Sequence, residues 1–196
     1  TKSTKATRGD IIDCFGKPIV QNNIVYSIVL EKAFFPDENQ EGNQILLDLY
    51  YLLREKSYDI KFSLPISKTK PYKFTGKEED SAELIKRINL NVYATAENCI
   101  DKFISDYEIS DRYSPYEKWI ISAMRYELQI KDFAINNDFI LAENVSEDII
   151  IEVKAKSITL KGVDIREGSE RKIIQGNILP HEIGTVGPIY AEEYEE

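Results

Sequence analysis

Three side chains in the later part of the sequence are of types that could do chemistry together: Asp138, Glu152 and Lys154. Hydrolysis of a phosphodiester needs hard oxygen ligands for Mg²⁺ and a positive group near the nucleophile. Residues 137–141 and 148–154 are apolar, β-branched runs separated by a short polar turn, which predicts two strands joined as a hairpin. In an extended strand residues 152 and 154 point to one face, and a hairpin would bring Asp138 beside them. Glu117 or Glu127, on a preceding helix, could add a ligand. A plainer account fits the same residues. Ile149, Ile151, Val153 and Ala155 would share one face of the strand, and Glu152, Lys154 and Lys156 the other, giving an amphipathic strand with a solvated face.

Asp138 followed by the triplet Glu152-Val153-Lys154 resembles the core motif of the PD-(D/E)xK nucleases. The resemblance implies that Asp138 and Glu152 bind a divalent metal and that Lys154 helps to polarise or position the attacking water. It covers residues 137–154 only. Asn137 stands where the family has proline. The helix that the family places after its lysine strand is not predicted, because residues 157–162 read as further strand and a turn.

The elements that must position these groups fall into three stretches. Residues 24–30 form a β-branched, apolar run that predicts a buried strand. Ile45, Leu46, Leu49, Leu52 and Leu53 recur at helical spacing over residues 43–56, and Tyr58, Ile60, Phe62, Leu64 and Ile66 alternate as in a half-buried strand. This strand-helix-strand order permits a βαβ unit. The central stretch, 68–133, is predicted helical. Ser81 can cap a short helix, and Glu78-Glu79-Asp80 precede it. Ala96, Cys99, Ile100, Phe103, Ile104 and Tyr107 form a stripe that places Cys99 in the core. Ser114-Pro115-Tyr116-Glu117 is a capping box with proline at the first helical position, and Trp119 follows as a core anchor. From residue 134 onward the sequence predicts strands and extended loops. The expected fold class is therefore α+β: a mixed N-terminal strand-helix-strand unit, a central helical segment and a β-rich C-terminal third. The expected organisation is one domain over 1–190, with a basic arm (1–10) and an acidic tail (191–196).

Composition narrows the function classes. The 196 residues carry 34 acidic and 25 basic side chains, for a net charge of −9, so a broad phosphate-binding surface is not expected. Two cysteines, Cys14 and Cys99, have no metal-ligand spacing, and one histidine, His181, leaves no room for polyhistidine zinc sites. No run approaches the roughly 20 apolar residues of a membrane span. Lys2, Lys5 and Arg8 in the arm, and Tyr190, Glu192, Glu193, Tyr194, Glu195 and Glu196 at the other end, are candidate partner-binding residues, since oppositely charged ends could reach neighbouring subunits.

These observations lead to the expectation of a structural or assembly subunit of a larger complex, of the kind found as a phage connector or tail component. It would be oligomeric, without cofactor or membrane contact, and cytoplasmic or incorporated into a virion. Two alternatives stand beside it. One is a Mg²⁺-dependent nuclease, the only reading that involves nucleic acid. The other is a small regulatory binding module that uses the acidic tail.

Overall fold

The computed structural model describes residues 9–174. Among them are five helices and a four-stranded antiparallel sheet, a mixed α+β fold. In sequence order the elements are β1 (Ile11–Ile12), β2 (Pro18–Leu30), α1 (Asn39–Glu55), α2 (Glu78–Arg87), α3 (Ala96–Asp106), α4 (Pro115–Ile130), β3 (Phe139–Ala142), α5 (Glu147–Ala155) and β4 (Val163–Ile173). In the sheet β2 pairs with β1, β3 and β4. The protein divides into two compact units, Thr1–Val25 with Gly168–Glu196, and Tyr26–Glu167.

The described part of the first unit is built on a hairpin. Ile11 pairs with Val20, and Ile12 with Pro18. Proline is tolerated there because it opens the strand. The turn is held by Asp13, whose Oδ1 accepts from the amides of Phe15 and Lys17 at 2.9 and 2.8 Å. Gly16 supplies the positive φ, +80°, that the turn needs. The strand expected at 24–30 starts earlier, at Pro18; the polar run Gln21-Asn22-Asn23 hid its first half in the sequence.

In the second unit the end of β2 is the deepest strand. Ile28, Val29 and Leu30 are fully buried, and they pair with β3 through Ile28 and Ala142, Val29 and Ile140, and Leu30 and Phe139. The strand-helix-strand order does not close into a βαβ unit, because residues 58–66, its expected second strand, do not join the sheet. α4 packs against α1 and α3. Residues Trp119 to Leu128 of α4 are all buried, so this helix is enclosed on every side by the unit's core. Its start is the predicted capping box: Ser114 Oγ accepts from the Glu117 amide, and Glu117 Oε2 accepts from the Ser114 amide. Trp119 is the expected anchor, donating its indole N–H to the Ile66 carbonyl at 3.1 Å. Cys99 is buried as expected, and burial pushes its thiol up to about 11, far from thiolate chemistry.

Three local expectations are corrected. Glu78-Glu79-Asp80 lie in the first turn of α2, with Lys77 at the N-cap position, so Ser81 is inside the helix and its hydroxyl donates to the Glu78 carbonyl. Residues 58–64 keep the predicted alternation, with Tyr58, Ile60 and Phe62 half-buried and Asp59 and Lys61 exposed, but they form no ladder. Only Ile66 makes a bridge, to Phe74. The third correction is the largest. Residues 148–154 are not a strand but most of α5, so the predicted hairpin does not exist. Ile149, Ile150 and Val153 are buried whereas Ile151 is 66% exposed, which is a helical face, not an alternating one. Ser146 at the N-cap, Glu147 and Asp148 in the first turn and Lys154 in the last complete a helix that outweighs the β-branched composition.

Candidate functional site

With the hairpin gone, the three candidate catalytic side chains lie on different elements and take different partners. Asp138 precedes β3, and its Oδ2 accepts from Arg166 Nη2 at 2.5 Å. The same guanidinium lies 3.6 Å from Glu31. Glu152, on α5, is held by Lys156 at 2.9 Å and Lys56 at 3.3 Å. The hydrogen bond from Lys156, with Lys56 helping, keeps its carboxyl below the usual carboxylate range. Lys154 is exposed in the last turn of α5. The two helical acids proposed as extra ligands serve the fold. Glu117 closes the α4 cap and accepts from the Tyr51 hydroxyl, and Glu127 accepts from the Ser63 amide. Among the described residues no three histidine, cysteine, aspartate or glutamate side chains group as a metal site. Lys2, Lys5, Arg8, His181, Tyr190, Glu192, Glu193, Tyr194, Glu195 and Glu196 lie outside the described residues.

Sequence reasoning passed over two features of the second unit. One is a groove of about 630 Å³ between the unpaired segment around Ile60 and strand β3. Tyr58 bridges one end of it, its hydroxyl accepting from the Glu143 amide at 3.1 Å and donating to the Glu143 carbonyl at 3.2 Å. The other is Arg125, a cation 8% exposed in the middle of α4. Its Nε and Nη2 donate to Asn43 Oδ1 at 2.9 and 2.8 Å, and Nη2 also reaches the Asn39 carbonyl at 3.2 Å. The guanidinium sits 4.6 Å from the Tyr107 ring centroid. Burial pushes its pKa down to about 10, with Tyr107 opposing the shift. The signal for Arg125 was present in the sequence: a lone charge inside the run Ile120-Ile121-Ser122-Ala123-Met124-Arg125-Tyr126.

The first unit exposes apolar side chains on its hairpin. Ile12 is 60% exposed, and Phe15, at the turn, 85%. The turn that carries Phe15 is pinned by the Asp13 bonds, so this side chain is presented from a fixed backbone.

Compared with known proteins, the chain matches the family described as the penicillin-binding protein dimerisation domain, over residues 3–196. Among solved structures it is similar to penicillin-binding protein 2B of Streptococcus pneumoniae strain 5204, with 18% identity and a TM-score of 0.48 over 98% of this chain and 30% of that one. The same protein from strain R6 gives 16% identity and a TM-score of 0.41 over 96% and 29%. The chain thus spans under a third of the length of these structures. No curated protein matches it. The family match overturns the expectation of a phage connector or tail component, with its virion or cytoplasmic location, and equally the nuclease and tail-module alternatives. The expectation of protein partners survives in its coarse form, since the family is one of dimerisation domains. No helix among the described residues is long and apolar enough to cross a membrane.

Proposed function

Because the chain belongs to the penicillin-binding protein dimerisation domain family, we propose that it is the association domain of a penicillin-binding protein and pairs two copies of that protein during cell-wall synthesis. The observation that carries this reading is the extent of the match, residues 3–196, which leaves almost none of the sequence outside the family. The hairpin of the first unit supports it. Large apolar side chains on a pinned turn lose little conformational freedom on docking, and aromatic anchors dominate the energetics of association surfaces.

Sedimentation equilibrium of the 196-residue chain over a range of concentrations tests the proposal. The expected result is a concentration-dependent dimer, weakened about tenfold or more by the double substitution Ile12→Ser, Phe15→Ser with the circular dichroism spectrum unchanged. A protein that stays monomeric up to millimolar concentration overturns pairing. A dimer insensitive to the double substitution removes the hairpin from the interface.

A further inference from the structure

Arg125 is held by neutral acceptors only. Its three hydrogen bonds go to an amide oxygen and a backbone carbonyl, and no carboxylate among the described residues lies within ion-pair distance of it. Among the described residues Nη1 has no hydrogen-bond partner. A buried charge is normally paired, because leaving it without a counter-ion forfeits the Coulombic return on its desolvation. Arg125 also lines a cavity of about 460 Å³.

The rest of that cavity is biased the same way. Lys32 and Arg87 line it too, each engaged by one acid, Asp37 at 2.7 Å and Glu83 at 3.1 Å. Asp132 is the one acidic side chain on the wall among the described residues. Gln129 Oε1, on the same wall, is enclosed and has no hydrogen-bond partner, while its Nε2 donates to the Tyr107 hydroxyl at 2.7 Å. Phe35 and Phe133 supply an apolar side, packed edge to face with centroids 5.9 Å apart.

We propose that this cavity beside α4 binds a carboxylate presented by a peptide, with Arg125 as the counter-charge. The N–H groups of Nη1 are unspent and can donate charge-assisted hydrogen bonds to a carboxylate, and the one acid on the wall disfavours a dianion more than a single charge. A peptide brings a further group that fits: an apolar side chain for Phe35 and Phe133. The carboxylate has two sources, the C-terminus of a peptide or an acidic side chain within one. The inference rests on the geometry of the second unit and does not depend on the pairing function.

Titration of the ¹⁵N-labelled 196-residue chain, read from its amide and arginine Nε signals, is the test. The probes are acetyl-Ala-Leu with a free C-terminus, acetyl-Ala-Leu-amide, acetyl-Glu-Leu-amide and inorganic phosphate. Saturable shifts at Arg125 and Gln129 are expected with one or both carboxylate probes and not with the uncharged amide. Saturation by the free acid alone assigns the site to a C-terminus, and by the glutamyl amide alone to a side chain. Arg125→Gln should weaken binding about tenfold or more. Should that variant fail to fold, Lys32→Gln with Arg87→Gln, both at the rim, decides: a several-fold loss supports the site, and unchanged binding overturns it. Silence of both carboxylate probes, phosphate binding alone, or equal binding by a folded Arg125→Gln protein also overturns it.

Discussion

At the residue scale, the pair Arg125–Asn43 couples α4 to α1 through buried polar atoms. Asn43 is fully buried, accepting from Arg125 through Oδ1 and donating through Nδ2 to the Tyr107 carbonyl at 2.8 Å. Removing the arginine alone leaves Oδ1 orphaned in the core, and an unsatisfied buried group costs about 1–3 kcal/mol. Arg125→Met is therefore expected to destabilise by about that amount, and Asn43→Leu by a similar amount because it strands the cation. The double variant removes both members, so urea denaturation should show it costing less than the sum of the singles by about 0.5–3 kcal/mol. Additivity would show that the two side chains are not coupled. This pair was not legible in the sequence, because 82 positions separate its members. Asp138, Glu152 and Lys154 present the opposite case, a pattern legible in the sequence that the fold does not assemble. Their types suit metal chemistry, but type and spacing carry no information about where each side chain goes. Asp138 met Arg166, Glu152 met Lys156 and Lys56, and Lys154 stayed in solvent.

At the element scale, signals confined to a few neighbouring residues were legible. The α4 cap involves residues three apart, so Ser114, Pro115 and Glu117 announce it without any knowledge of the fold. Ser114→Ala should cost about 1 kcal/mol in thermal or chemical unfolding. Glu117 gives the cap a pH dependence. Hydrogen bonds from the Ser114 amide and hydroxyl hold its carboxyl below the ordinary value of 4.5. The unfolded state thus binds the proton first as pH falls. The contribution is complete above about 4.5 and is lost as pH drops through the lower folded value. Glu117→Gln should flatten that part of the acid limb, seen as a smaller loss of stability than in the parent as pH falls below 4.5; an unchanged limb would remove Glu117 as its source. The run Asp148-Ile149-Ile150-Ile151-Glu152-Val153-Lys154 was illegible for a different reason. Ile149, Ile151 and Val153 satisfy a strand's period, and Ile149, Ile150 and Val153 satisfy a helix's, so the pattern fits both. The choice was made by packing, which buried Ile150 and left Ile151 in solvent.

At the scale of the whole molecule, the α+β class was legible because helical stripes and β-branched runs are each strong. The family was not, because none of the short motifs read in the sequence pointed to it; the match extends over residues 3–196. Net charge has a consequence here that composition alone could not give. Two copies carrying −9 each repel at long range, while an apolar hairpin surface contributes attraction that salt does not screen. Dimerisation is therefore expected to strengthen as ionic strength rises from about 0.01 M to 0.15 M, where the Debye length falls from about 30 to 8 Å. Weakening over the same range, measured by sedimentation, would point to an interface built on ion pairs instead.

The segment after α1 has an outcome that its burial pattern conceals. Asp59, Ile60, Lys61 and Phe62 have alternate residues half-buried, yet none of their amides donates a hydrogen bond among the described residues. Protection from isotope exchange follows the bonded N–H and not the buried side chain. On a deuterium clock these four amides should exchange with the loops, within seconds, while Val29 and Leu30 at the end of β2 wait for the sheet to open. A segment with the alternating burial of a strand would thus keep the time of a loop.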